Sequence, residues 1–235
     1  MNAEVRAHLD ALIAALRAAL GADLRGLCLY GSAARGEWRE GVSDLNLLVE
    51  TGGIDFERID AMAGALSEAR QGGRVEPLLL TEQEILTGAD AFAVLVEDIR
   101  RDHVLLMGSS ALLQVSTTPE QLRLGAEREL RGAHMRLRRN RMGFMRSNAI
   151  ERRRLYRDYT RCMASLKALC ALSGRPVPTA SDAVEATLAD ILGVEVAPLV
   201  ALRALPEGPD DGELTALVAG FSATLDAAIL CIDAL

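Results

Sequence analysis

Residues 31–49 read GSAARGEWREGVSDLNLLV and lie between two apolar stretches with strand character, 25–30 (RGLCLY) and 44–50 (DLNLLVE). A Gly-Ser pair directly after an apolar strand permits a sharp turn that presents backbone N–H groups, and here the Ser32 hydroxyl, to a phosphate. Side chains two apart on a strand share a face, so Asp44 and Asn46 point one way while Leu45 and Leu47 point toward a core. A phosphate cradle beside convergent oxygen ligands suits a nucleoside triphosphate carrying Mg2+. Glu76, on the next strand expected over 74–80, supplies a third oxygen ligand.

Working outward, apolar residues at helical spacing predict a helix over 4–20 and another over 55–70. Pro77 marks the 74–80 strand as an edge or bulged one. Thr81 and Glu84 form a capping box for a short helix, and a helix near 91–101 and a strand at HVLLMG follow. Strand signals then cease. Thr118, Pro119 and Gln121 open a long helix running to about residue 146. Further helices are expected over 150–173, 181–192, 195–205 and 213 to the end. The pattern is an α+β domain, a mixed sheet with helices over residues 1–115, followed by an all-α helical bundle over 116–235.

Gly31-Ser32, a spacer ending in Ser43-Asp44, and then Leu45-Asn46 resemble the signature of the DNA polymerase β-like nucleotidyltransferase superfamily, in which Gly-Ser is followed by Asp-x-Asp. Arg35-Gly36 fits the same loop. The domain order resembles the kanamycin-type and minimal nucleotidyltransferases, whose catalytic sheet domain precedes a helical bundle. The resemblance implies that Gly31, Ser32, Arg35 and Ser43 bind the nucleotide. Asp44 and Glu76 would be the catalytic carboxylates, and Asp44, Asn46 and Glu76 the Mg2+ ligands. It implies transfer of a nucleoside monophosphate from Mg-NTP to a hydroxyl of a small molecule, protein or RNA. Kanamycin-type enzymes also take a base from the helical domain, for which Glu127 and Glu129 are candidates; ion pairing with Arg123 or Arg131 is the competing role of Glu127, and a solvated face that of Glu129. The departure is Asn46, where the family carries a second carboxylate. The alternative is therefore a catalytically weakened nucleotide- or RNA-binding module, a sensor or an antitoxin-like partner. Arg128 and His134 also resemble the Arg-x5-His ribonuclease motif of HEPN toxins.

Half of the 235 residues are hydrophobic, 3% are aromatic and 25% are charged, which excludes disorder and a disulfide-stapled miniprotein. No apolar run is read as a membrane span, and the interrupted N-terminus does not read as a signal peptide. Cys28, Cys162, Cys170 and Cys231 form no CxxC pair and are expected reduced, in a cytoplasmic protein. Lys167 is the sole lysine, so a catalytic lysine is Lys167 or absent. The net charge of −7 conceals a partition. Residues 1–115 carry 10 basic and 18 acidic groups, 116–175 carry 15 and 5, and 176–235 carry 1 and 10. The +10 segment points to RNA or another polyanion as partner, or to neutralisation by acidic neighbours within the bundle, and it weighs against an aminoglycoside acceptor. Tyr156 and Tyr159 are placed either to stack on a base or to pack in the core. Self-association stays open.

Overall fold

The computed structural model describes residues 3–69, 75–143, 148–207 and 214–235. The chain divides into two compact units, one of Met1–Phe92 with Val96–Thr117, the other of Ala93–Leu95 with Thr118–Leu235. In the first unit the order is α1 (Ala3–Leu20), β1 (Leu24–Tyr30), α2 (Ser32–Arg35), β2 (Leu45–Thr51), α3 (Phe56–Ala69), β3 (Val75–Thr81), α4 (Glu82–Gly88), α5 (Ala93–Arg101) and β4 (His103–Gly108). The first turn of α5 counts with the second unit. The mixed sheet runs β3-β2-β1-β4, with β1 antiparallel to both neighbours and β2 parallel to β3.

Alternation along the strands separates two faces. Leu27, Leu29, Leu45, Leu47 and Val49 are buried with Leu9, Leu12 and Leu16 of α1 and Met62 and Leu66 of α3. Each such side chain contributes about 1.5–3 kcal/mol on burial, so this layer fixes the strand register. The opposite face carries the alternate residues, among them Tyr30, Asn46 and Glu50. Pro77 sits on the edge strand β3, where a missing N–H removes no ladder bond. The Thr81–Glu84 capping box is present.

Two boundaries differ from expectation. Strand β2 begins at Leu45, so Asp44 lies just ahead of it. Ser43 N–H donates to the Arg39 carbonyl at 2.8 Å and Ser43 Oγ accepts from Arg39 N–H at 3.1 Å, which holds the chain in a turn through residue 43. Strand β3 is described from Val75, so the expected start at Arg74 lies outside the described residues.

The second unit comprises α6 (Pro119–Gly143), α7 (Asn148–Leu172), α8 (Ser181–Leu192), α9 (Ala197–Ala204) and α10 (Thr215–Asp233). Thr118 Oγ1 and Gln121 Oε1 cap α6 reciprocally, at 3.2 and 2.8 Å. The expected extensions of α6 to residue 146 and of the last helix to Glu213 fall outside the described residues. Leu130, Leu137, Leu155, Leu166, Phe221, Leu225 and Ile232 form the core. The sole lysine, Lys167, is fully buried in α7. Cys28, Cys162 and Cys170 are buried free thiols, and Cys231 is half-buried. Burial pushes Cys28 up to about 11 and Cys162 up to about 12, so both remain protonated at neutral pH.

Helix α10 corrects the reading that no segment could span a membrane. Its 19 residues have mean hydropathy 1.8, enough by length and composition to cross a bilayer. Here Phe221, Leu225 and Ile232 face the bundle core. Its two carboxylates are engaged as well: Asp226 Oδ1 lies 3.1 Å from His134 Nδ1, and Asp233 accepts from Arg131 Nη2 at 2.7 Å.

Glu50 is a buried carboxylate of the sheet unit, 2% exposed. It accepts from the Ser110 hydroxyl and from the backbone N–H groups of Ala111 (2.7 Å) and Leu112. Burial raises its pKa above the usual carboxylate range, against the lowering effect of those bonds. A raised native-state pKa means that this group's stabilisation is complete below the ordinary carboxylate pKa and declines as pH rises through the native value. Glu50→Ala is expected to lower the unfolding free energy by about 3 kcal/mol, because it leaves buried donors without their acceptor. Urea unfolding at several pH values checks both statements. The gap between wild type and Glu50→Gln should change across the acidic range and flatten above it.

Candidate functional site

The turn after β1 is built on Gly31, whose φ of 73° favours glycine. A Cβ there would also lie 2.6 Å from Asn46 Nδ2, so the Asn46 amide would have to turn away. Gly31 is the N-cap of the four-residue helix α2 and supplies no side-chain cap. Arg35 N–H donates to the Gly31 carbonyl and Glu37 N–H to the Ser32 carbonyl, so the bonds within the turn begin at residue 35. The first N–H groups of such a turn have no acceptor within it.

Register brings a polar row across one end of the sheet. Asn46 of β2 pairs with Glu76 of β3 on one side and with Tyr30 of β1 on the other, and Tyr30 pairs with His103 of β4. Directly paired residues share a face, and this face is the one opposite the α1–α3 layer. Asp44 and Asn46 are half-buried and Glu76 is exposed. Burial, followed by the charges of Asp98 and Glu76, pushes the Tyr30 phenol up to about 12. His103 Nδ1 lies 2.9 Å from the Ile99 carbonyl.

The structure thus places Gly31, Asn46 and Glu76 together, with Asp44 two residues before Asn46. Two other expected ligands are engaged elsewhere. Arg35 Nε donates to Glu37 Oε2 at 3.0 Å, and Ser43 closes the preceding turn. Tyr30 and Asp98 went unassigned in the sequence and His103 reads there as structural, because strand register and the position of α5 bring them in.

Asp44, Asn46 and Glu76 offer only hard oxygen donors, the chemistry Mg2+ takes. Among the described residues no three carboxylate, imidazole or thiol groups come together as a metal site. The set fits Mg2+ as two carboxylates and one neutral amide.

The helical unit decides between the competing roles of other residues. Glu127 accepts from Arg123 at 3.3 Å and from Arg131 at 2.8 Å, and Glu129 accepts from Ser165 at 2.5 Å, so both carboxylates hold helices. Tyr159 is buried and donates to Glu185 at 2.8 Å, which excludes it from stacking on a base. His134 is buried between Asp226 and Ser222, at 3.1 and 2.8 Å, while Arg128 is exposed, so the Arg-x5-His pattern marks a tie between α6 and α10.

The architecture is the α+β nucleotidyltransferase fold, a mixed four-stranded sheet with helices followed by a helical region. The crystal structure of spectinomycin adenyltransferase AAD(9) from Enterococcus faecialis, with ATP and spectinomycin, superposes with a TM-score of 0.61. The match covers 97% of this chain and 99% of that one at 12% identity. No family model matches the sequence, and no curated protein is significantly similar to it.

Two measurements check this geometry. Gly31→Ala should destabilise the protein by at least about 1 kcal/mol, since it adds positive-φ strain to a steric clash; unchanged thermal unfolding would contradict the close approach. Phenolate absorbance near 295 nm, read as the difference between each protein and its Tyr30→Phe counterpart, should show Glu76→Gln moving the Tyr30 titration down toward the ordinary value of about 10. An unmoved titration would separate Glu76 from Tyr30.

Proposed function

We propose that the chain transfers a nucleoside monophosphate from a nucleoside triphosphate to a hydroxyl acceptor. The observation that carries the reading is the Gly31 turn, open at its first N–H groups, packed against Asn46 beside Glu76 on a nucleotidyltransferase sheet. In this reading the Ser32 hydroxyl and the backbone after Gly31 bind the outer phosphates. Asp44 and Glu76 contribute negative charge, and Asn46 contributes a neutral oxygen. Asp44, Asn46 and Glu76 would hold Mg2+, which when bound offsets the charge of the triphosphate. The acceptor hydroxyl forms a bond to the α-phosphorus as the α–β phosphoanhydride breaks, and pyrophosphate leaves. The ATP and spectinomycin bound to the adenyltransferase of similar fold support ATP and a small hydroxylated acceptor. Protein and RNA hydroxyls are the wider class. The reading places the reaction in the cytoplasm, in keeping with four free cysteines.

Asn46 favours a second reading, a nucleotide-binding module with slow or no transfer. With an amide at this position the three ligands carry two formal charges where a third carboxylate would give three. A large part of the attraction for a dication is thereby lost.

Titration calorimetry with ATP, GTP, CTP and UTP in Mg2+ is expected to show binding by at least one nucleotide, and Asp44→Ala should abolish most of it. Absence of binding up to millimolar nucleotide would remove both readings. Asn46→Asp should raise metal stoichiometry and speed transfer of α-labelled phosphate, each tenfold gain corresponding to about 1.4 kcal/mol of barrier. A wild type as fast as the variant would make Asn46 a full ligand; two inactive proteins that bind nucleotide would select the binding module.

A further inference from the structure

Residues 128–161 contain twelve arginines and three carboxylates, Glu129, Glu151 and Asp158. All three carboxylates are engaged between α6 and α7, Glu151 and Asp158 buried and Glu129 exposed. Glu129 accepts from Ser165 at 2.5 Å, Glu151 from Arg141 at 2.8 Å, and Asp158 from Arg136 at 3.4 Å and Asn140 at 3.0 Å. These bonds also set the two helices antiparallel, with Arg136 beside Asp158 and Arg141 beside Glu151.

On the outer side exposed arginines stand among the exposed Leu124, Met135 and Met142. Arg128 and Arg139 are eleven residues apart on α6, three helical turns, and share a face. Arg157 and Arg161 are one turn apart on α7. All four are exposed, and among the described residues none of the four is in an ion pair. Helical position puts no carboxylate of residues 128–161 on that side of either helix. The overall charge of −7 does not cancel this patch, because solvent screens charges beyond about 8 Å at physiological salt.

We infer that the outer face of the α6–α7 pair docks the phosphodiester backbone of a nucleic-acid duplex. From Arg128 to Arg139 the face runs about 16 Å, along which a duplex presents roughly ten phosphate charges. Among the described residues the face carries no aromatic side chain: Tyr159 is buried and Tyr156 packs against the core. It therefore has no platform on which unpaired bases stack, and it recognises backbone charge without reading sequence. The inference is independent of the nucleotidyl-transfer reading, since it uses none of the sheet residues.

The test uses the full chain and fluorescence anisotropy with 20-base-pair RNA and DNA duplexes of mixed sequence, titrated with NaCl. Four phosphate contacts predict a slope of log affinity against log salt of about −4, so raising NaCl from 50 to 200 mM weakens binding roughly 100-fold. Replacing Arg128, Arg139, Arg157 and Arg161 together by Gln should remove the binding. The fourfold Arg→Lys variant should keep the slope, and so should Arg175→Gln, which lies off the face. Binding to both duplexes assigns the contact to phosphodiester charge alone, and binding to RNA alone assigns it to the A-form backbone; either supports the inference. It is overturned if wild type binds neither duplex at 50 mM NaCl. It is also overturned if the Gln variant retains the slope, if the Lys variant folds but loses binding, or if the protein binds only phosphatidylserine vesicles.

Discussion

The Gly31 backbone packs against the Asn46 side chain so closely that a Cβ at residue 31 would displace the Asn46 amide. That contact is available only because β1 and β2 pair with Tyr30 opposite Asn46, and that register is held by the leucines on the other face of the sheet. A one-residue slip would turn Asn46 into the leucine layer and Leu45 toward the turn. The hydrophobic layer under α1 and α3 thereby places the polar end of the sheet, and the parallel pairing of β3 adds Glu76 at the same level. The chemistry proposed for the site follows from a packing constraint several residues deep.

Buried charge is handled differently in the two units. In the sheet unit Glu50 is satisfied by a hydroxyl and backbone N–H groups, so its pKa rises against a set of dipoles. In the helical unit buried carboxylates meet guanidinium groups: Glu151 with Arg141, Asp158 with Arg136, and Glu185 with Arg203. Removing one partner of such a pair costs far more than the pair itself contributes, because it leaves an uncompensated charge. These ties take up the acidic groups of α6 and α7 and leave the outer arginines facing solvent.

The turn and its strands were legible because their signals are local. Gly31-Ser32 follows an apolar run, Pro77 marks an edge strand, and the capping residues Thr81 and Thr118 stand three positions before their partners. Glu127 with its i±4 arginines was legible for the same reason. The row from Glu76 to His103 was not, since it depends on which strands pair and in what register. Neither Glu50 nor Tyr30 announces its burial, because a carboxylate or a phenol in a strand reads equally well as solvent-facing. Helix α10 was underrated as an apolar segment, because no unbroken apolar run approaches the roughly 20 residues of a span, while the fold engages both of its carboxylates.

The central claim is that the Gly31 turn and the Asp44–Asn46–Glu76 oxygens form one nucleotide site. Crystals grown with Mn2+ and a non-hydrolysable ATP analogue, with anomalous scattering recorded for manganese, test it most directly. The account predicts the outer phosphates on Ser32 and the backbone after Gly31, with manganese signal at the oxygens of Asp44 and Glu76. A nucleotide bound away from this turn, or manganese absent from Asp44 while nucleotide is bound, would contradict it.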